Sequence, residues 1–313
     1  MSFSIGIVGL PNVGKSTLFK ALTKIKVDIA AYPFTTIHPN VGVVRVPDER
    51  LDKIAQIFKP EKITPTIIEF VDVAGLVQGS HKGEGLGNQF LAQIRNCDAI
   101  LEVVRVFENP DVENVTGKID PENDIETIKI ELELKDLEIE ERKLSSPTKL
   151  LQSKSEGKEE KENLLSKKPI IYLLNTDGKS QYQVPKIKHL IMNLKDELEI
   201  LELSDSEKKE LGLESKLDQL IVDCYDTLDL ITFFTIVGLK ETRAWTLKNG
   251  LTAPEAGGVV HSDFQEKFIR AEVISCQKLV ETGNWKKAKE LGQLKTVGKD
   301  YIVQDGDIIE FKI

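Results

Sequence analysis

The sequence predicts an α/β domain that carries a helical insertion and is followed by a smaller α+β domain. Three observations predict it. Near the N-terminus an apolar run, a glycine-bearing loop and a helical stretch follow one another. Further apolar runs at 66–73, 99–104 and 169–175 read as buried strands of the same sheet, separated by longer segments. From about Asp229 the pattern changes to short strands around an Asn249-Gly250 turn signal.

The first strand is Ile5-Gly6-Ile7-Val8 and the first helix begins around Leu18-Phe19-Lys20-Ala21-Leu22. Between them stands Gly9-Leu10-Pro11-Asn12-Val13-Gly14-Lys15-Ser16-Thr17, which satisfies the G-x-x-x-x-G-K-[ST] pattern of a phosphate-binding loop in the strand–loop–helix setting that pattern requires. The glycines let backbone N–H groups curl around a polyphosphate, and the helix start adds the positive end of its dipole. Asn12, Val13, Gly14, Lys15, Ser16 and Thr17 are therefore nucleotide-binding candidates. Lys15 reaches the outer phosphates, and the Ser16 hydroxyl ligates Mg²⁺. A ligand-free glycine turn is the alternative, and four fixed positions in the right context weigh against it. The chain reads as a nucleotide-binding protein.

Composition frames that reading. A chain of 313 residues accommodates two domains and an inserted piece, and 40% hydrophobic with 30% charged residues is ordinary for a water-soluble protein. A net charge of −9 argues against a generally basic nucleic-acid surface. Cys97, Cys224 and Cys276 show neither disulfide nor metal spacing, so buried reduced thiols are expected. Met1-Ser2-Phe3-Ser4 leads directly into the first strand, leaving no room for a signal peptide, and no apolar run approaches a membrane span. A cytoplasmic protein with no membrane partner is expected.

Two downstream segments fit the switches of a nucleotide hydrolase. Ala31 to Gly42, with two prolines, reads as a loop before a strand of alternating valines; within it Thr36, rather than Thr35, is expected to complete the Mg²⁺ shell. His38 in that loop reads as structural. The strand Thr66 to Val71 ends in Asp72-Val73-Ala74-Gly75, the D-x-x-G pattern in which the aspartate approaches Mg²⁺ through water and the glycine N–H senses the terminal phosphate. Leu76 stands where Ras-like enzymes carry the glutamine that orients the attacking water, and leucine cannot do so. Gln78 to Gly87 holds four glycines, so a long mobile second switch is expected, with His81 as a candidate catalytic group or a solvated loop residue.

From Asp120 a Glu/Lys-rich stretch with Ile125, Ile128, Leu132, Leu137 and Leu144 at helical spacing predicts one long helix that Ser145-Ser146-Pro147 breaks. A polar return segment follows from Lys149 to Ser166. Pro169 to Asn175 then resumes a buried strand, so residues 120–168 read as inserted into the first domain. The following Asn175-Thr176-Asp177-Gly178 keeps the asparagine of the guanine-reading Asn-Lys-x-Asp signature but has no carboxylate at its fourth place.

In the C-terminal part, Thr232 to Val237 and Arg243 to Leu247 read as strands. Pro254 to Gly258 reads as a loop, Lys286 to Leu291 as a helix, and Tyr301 to Val303 with Ile308 to Ile313 as a closing hairpin. Trp245 reads as a core residue. No nucleophile, metal cluster or second phosphate loop stands out, and acidic and basic residues balance, so the unit reads as a binding or regulatory module.

The chain resembles the YchF/Obg-like ATPases. The resemblance rests on the phosphate loop, the Tyr32–Gly42 segment, Asp72-Val73-Ala74-Gly75-Leu76-Val77, Gly83-Glu84-Gly85-Leu86-Gly87-Asn88 and Asp124-Ile125-Glu126-Thr127-Ile128. Arg243-Ala244-Trp245-Thr246, His261-Ser262-Asp263-Phe264, Phe268-Ile269-Arg270-Ala271 and Gly298-Lys299-Asp300-Tyr301-Ile302-Val303 resemble the TGS domain of that family. It implies a P-loop NTPase of the Ras-like G-domain type, spanning 1–119 and 168–228. It also implies an inserted helical hairpin arm at 120–167, shorter than usual, and a β-grasp TGS domain at 229–313. Implied too are Mg²⁺ dependence, preference for ATP over GTP, and binding to the ribosome, with the large subunit as the expected contact and no sequence-specific DNA binding. Asn175 and Thr176 are expected to flank the base, and Lys15, Gly75 and His81 to serve catalysis. This chain departs from the family at Gly178, where a glutamate is usual, and at Asn114, where a histidine is common. The alternatives are an Obg-type GTPase and a nucleotide-gated ribosome-binding module with negligible intrinsic hydrolysis.

Overall fold

Two six-stranded sheets organise the chain in the computed structural model, which describes residues 3–25, 32, 40–73, 93–109, 118–144, 164–179 and 187–313. The chain begins with β1 (Phe3–Val8), α1 (Lys15–Thr23), β2 (Val41–Arg45), α2 (Glu49–Phe58), β3 (Lys62–Thr64), β4 (Ile67–Asp72), β5 (Ala99–Arg105) and α3 (Pro121–Leu144). It continues through β6 (Ile170–Asn175), β7 (His189–Met192), α4 (Leu194–Ile200), α5 (Asp205–Leu211) and α6 (Leu217–Thr227). The C-terminal part holds β8 (Leu230–Val237), β9 (Glu241–Lys248), α7 (Ala253–Val260), α8 (Ser262–Glu266), β10 (Arg270–Ser275), α9 (Cys276–Thr282), α10 (Trp285–Glu290), β11 (Lys295–Val297) and β12 (Asp307–Lys312).

The first sheet runs β2-β4-β1-β5-β6-β7, with β2 antiparallel and the rest parallel. Every residue of β5 is buried, as a central parallel strand requires. Because β4 and β5 flank β1 on opposite sides, the loop leaving the C-terminal end of β1 opens into the crevice where ligands bind in such sheets. Leu18, Ala21 and Leu22 of α1 close the core beneath that loop.

The helix expected after Asp120 is α3. Ile125, Ile128 and Leu132 are buried, whereas Leu134 and Leu137 face solvent. The Asp136 carboxylate accepts the backbone N–H groups of Leu165 and Ser166, both at 2.9 Å, and so ties the helix to the chain re-entering β6. The return segment foreseen from Lys149 lies outside the described residues for most of its length. Where α3 meets β5, burial holds the Glu102 carboxyl well above its usual range and Asp124 reinforces this; burial and Asp120 push Asp124 up to about 6.

The second sheet runs β11-β10-β12-β8-β9-β3. β8 and β9 form an antiparallel hairpin, and the last strand β12 lies parallel to β8 in the middle, the arrangement of the expected β-grasp unit. Phe233, Leu247 and Phe268 pack with Ala253 and Ala256 of α7 in one hydrophobic cluster; Phe234, Ile274 and Ile308 pack with Leu279 of α9 in another. Leu51 and Ile54 of α2 join the latter, and β3 pairs with β9 at the edge. Glu49–Thr64, assigned from sequence to the first domain, therefore packs with the second. Arg50 of α2 clasps the two parts, its guanidinium held by Asp48 at 2.8 Å and Asp305 at 2.6 Å.

Two expectations are corrected here. Residues 254–258 form helix α7, not a loop. Thr252 and Glu255 make a capping box, Pro254 sits in the first turn where its missing N–H costs nothing, and Gly257 lets α8 approach. A Cβ at Gly257 would stand 3.1 Å from the Phe264 backbone. The closing hairpin is also absent: Ile302 bridges Thr252, and β12 pairs with β10 and β8 instead. The Asp307 carboxylate accepts the Gln304 N–H at 2.9 Å and closes a local turn, so the strand turns away from residues 301–303 rather than back along them. All three cysteines are buried free thiols. Among the described residues no helix is long and apolar enough to cross a membrane.

Candidate nucleotide-binding site

The loop from Gly9 to Gly14 leaves β1 and returns into α1. Gly14 precedes the helix with φ 109°, and a Cβ there would meet Asn175 Nδ2 at 2.5 Å, so only glycine fits both the backbone and the neighbour. No side chain caps α1. Its first N–H groups, those of Lys15, Ser16 and Thr17, are therefore left for an anion, with the helix dipole behind them. Asn12 takes a left-handed conformation, φ 63°, at the loop's tip and is exposed.

Lys15 is buried, and its ammonium donates to the carbonyls of Gly9 at 3.0 Å and Leu10 at 2.8 Å. Burial lowers its pKa to about 8, opposed by the attraction of Asp72. Asp72 ends β4 on the neighbouring strand, half-buried, and burial raises its pKa while Lys15 pulls it down. An ammonium held over the loop carbonyls, with a carboxylate beside it, matches the chemistry of a Mg²⁺-nucleotide site. Ser16 is exposed at the start of α1, and neither its hydroxyl nor the Asp72 carboxylate has a hydrogen-bond partner among the described residues. Hard oxygen donors of this kind suit a divalent cation such as Mg²⁺.

Asn175 ends β6 with its side chain buried. Its Nδ2 donates to the Val13 carbonyl at 2.9 Å and its Oδ1 accepts the Leu194 N–H at 3.2 Å. The amide thus bolts the phosphate loop to the β7–α4 junction. Thr176 is buried beside it; its N–H donates to the Met192 carbonyl at 2.9 Å and its hydroxyl accepts the Gly178 N–H at 3.2 Å. Gly178 adopts φ 77° with open space around it, its nearest neighbour being Asn193 Nδ2 at 4.0 Å from an imagined Cβ. No carboxylate occupies that fourth place.

The structure brings together Asn12, Val13, Gly14, Lys15, Ser16, Thr17, Asp72, Asn175 and Thr176. Thr36, Gly75, Leu76, His81 and Asn114 lie outside the described residues. Sequence reading missed Met192-Asn193-Leu194, the second wall of the base end. Asn193 caps α4 by accepting the N–H groups of Lys195 and Asp196. An Asn immediately before a helix was the available cue, but nothing local told which helix start would face the phosphate loop.

A strand-borne phosphate loop, an uncapped helix start, a carboxylate at the end of the adjacent strand and an asparagine-anchored base loop define a P-loop nucleoside triphosphatase domain. Residues 4–144 match a family model described as "50S ribosome-binding GTPase", and residues 230–313 match one described as "Protein of unknown function (DUF933)", the C-terminal family of YchF GTPases. The chain is 45% identical to a Haemophilus influenzae protein and 43% identical to a Bacillus subtilis protein, each curated as "Ribosome-binding ATPase YchF"; both alignments cover 100% of this chain and 99% of the relative. The Schizosaccharomyces pombe YchF GTPase structure superposes with TM-score 0.82 and 33% identity over 99% of this chain and 98% of that one. The chain belongs to the YchF family. The B. subtilis alignment spans 364 positions against 313 residues here, so the relative carries segments that this chain lacks.

Proposed function

We propose that this protein is a ribosome-binding ATPase whose nucleotide state changes its hold on the ribosome, with the large subunit as the contact and the cytoplasm as its location. The observation that carries ATP over GTP is the base end. Asn175 spends its amide inside the protein, and Gly178 offers no carboxylate to the donors of guanine. Two curated relatives named as ribosome-binding ATPases, aligned end to end, support the same reading.

In this mechanism the N–H groups at the start of α1 and the Lys15 ammonium hold the polyphosphate. Ser16 and Thr36 would hold Mg²⁺ directly and Asp72 through water, and the ion, when bound, would supply charge neutralisation at the phosphate oxygens. The Gly75 N–H stabilises the terminal phosphate as charge develops. Because Leu76 cannot orient water, His81 or a ribosomal group supplies that positioning. Residues 1–119 and 168–228 form the nucleotide domain in this reading, 120–167 its shortened arm and 229–313 the TGS domain.

Equilibrium competition between ATP and GTP in Mg²⁺, followed by phosphate release with and without ribosomes, tests it. Preference for ATP and stimulation by ribosomes are expected. Preference for GTP would replace it with a GTPase. Leu76 favours a second reading, a nucleotide-gated module that barely hydrolyses; binding without phosphate release in either condition would select it.

A further inference from the structure

Acidic side chains fasten α3 to the nucleotide domain at two places, and only one of them is satisfied as an anion. Asp136, in the second half of the helix, accepts the backbone N–H groups of Leu165 and Ser166, which suits an ionised carboxylate. At the first turn the arrangement is the reverse. Glu102 lies in the middle of β5 at 1% exposure, and Val104, two residues along the same face, packs with Ile125 of α3 and Leu174 of β6. Asp124, the neighbour of Ile125, is 6% exposed. Glu102 Oε1 and Asp124 Oδ1 are both buried with no hydrogen-bond partner among the described residues.

The groups around the pair do not supply the missing donors. On α3, Asp120 is ion-paired with Lys118 at 2.8 Å, and both Asp120 and Glu126 add negative charge nearby. Tyr172 of β6 and Val8 of β1 stand opposite Glu102 in the sheet. Arg105, further along β5, attracts Asp124, and its guanidinium donates to the carbonyls of Phe107 at 3.0 Å and Asn109 at 3.4 Å. Two neighbouring buried carboxylates without donors are too costly to persist. A proton on one of them removes its desolvation cost and the mutual repulsion together.

We propose that this pair is a proton-held root for the inserted helix: Glu102 is a neutral carboxylic acid in the folded protein, and loss of its proton to water loosens the first turns of α3 from β5. Asp136 keeps its own hold, so the change is local. Since β5 ends at Arg105, which pairs in register with Asn175, the root of the arm and the base end of the cleft share one strand. The sign follows from linkage. Burial and Asp124 hold Glu102 well above its usual range, and burial with Asp120 sets Asp124 at about 6. Each group therefore keeps, in the seated helix, a proton that it releases once exposed to water. Seating weakens as pH rises above the ordinary carboxylate range, by about tenfold in the opening equilibrium per pH unit for each group. Asp124 contributes up to about pH 6, and above that Glu102 acts alone.

Hydrogen–deuterium exchange of the full chain, compared at each pH with Glu102→Gln so that intrinsic rates cancel, tests this. Glutamine has the shape of the neutral acid and cannot ionise. For peptides covering 121–132, exchange in the parent relative to the variant is expected to rise about tenfold per unit between pH 6 and 8, while peptides from β10 and β12 stay level. The infrared carbonyl stretch of a protonated carboxylic acid is expected at pH 7 in the parent and absent from Glu102→Gln. Asp124→Asn removes the repulsion but leaves the acid, so it keeps that band and lowers the relative exchange at pH 8. A ratio flat in pH, or no acid band, overturns the proposal. An equal rise in β10 and β12 means global destabilisation and overturns the local root. Protection of 121–132 by added Mg²⁺ at constant pH puts a cation in the proton's place and overturns it as well.

Discussion

The phosphate end and the base end of the cleft, joined by Asn175, are held in different ways. From Gly9 to Thr17 the working groups are backbone N–H groups and one ammonium on contiguous chain, shaped by a left-handed Gly14 and the start of α1. At the base end the partners come from three separate places. Asn175 ends β6, Leu194 opens α4, and the Val13 carbonyl belongs to the phosphate loop itself. The phosphate end is local chemistry; the base end is an assembly. A local device keeps its function while its surroundings vary, whereas selectivity at an assembled site shifts with one side chain. Gly178, in the place where a guanine-reading protein carries its carboxylate, illustrates the second case.

Three experiments bear on this contrast. Lys15→Ala strikes the local device and has the largest expected effect: kcat/KM for ATP hydrolysis falls about 10²- to 10³-fold, as when one preorganised donor is removed from a transition state, measured by phosphate release. Unchanged turnover would mean that the loop is not the reacting end. Gly178→Asp alters only the assembled end. Aspartate tolerates the left-handed backbone, and the space beside Asn193 admits it. Its carboxylate is expected to raise affinity for GTP relative to ATP by roughly 10- to 30-fold, one charge-assisted hydrogen bond's worth, with phosphate contacts unchanged. An unaltered ratio in direct competition would show that selectivity lies elsewhere.

The smallest effect is a pH dependence. Burial sets the Lys15 pKa near 8, and phosphate favours the charged ammonium, so binding takes up a proton above that pH. Affinity for the nucleotide should fall roughly tenfold between pH 7 and 9, with heats that depend on buffer ionisation enthalpy. The unliganded protein responds in the opposite sense. Its unfolded chain keeps the lysine proton up to the usual value of 10.5, so this group's contribution to stability rises with pH from about 8 to 10.5. A binding curve flat in pH would place the ammonium in water rather than among carbonyls.

How much was legible varies with the range of the causes. Gly14, Lys15, Ser16 and Asp72 were readable because a strand end, a glycine and a helix start lie within a few residues of one another. The pattern at 254–258 misled because proline and glycine usually mark loops. Here Pro254 occupies the first helical turn and Gly257 serves a close approach by α8, a reason located on another element. The 301–313 hairpin failed similarly. Two apolar runs separated by Asp305-Gly306 resemble a hairpin locally, yet β12 finds its partners on β10 and β8.

What the sequence by itself determined is the phosphate loop, the strands that frame it, the long helix after Asp120, and the family those motifs belong to. Only the tertiary structure decided that Glu49–Thr64 packs with the C-terminal sheet, that Asn175 reaches back to Val13, and that Tyr32, Pro65 and Arg243 meet. Short-range patterns carry their own conformational reasons in neighbouring residues. Contacts between distant segments depend on how whole sheets bury their faces, and no window of sequence contains that information.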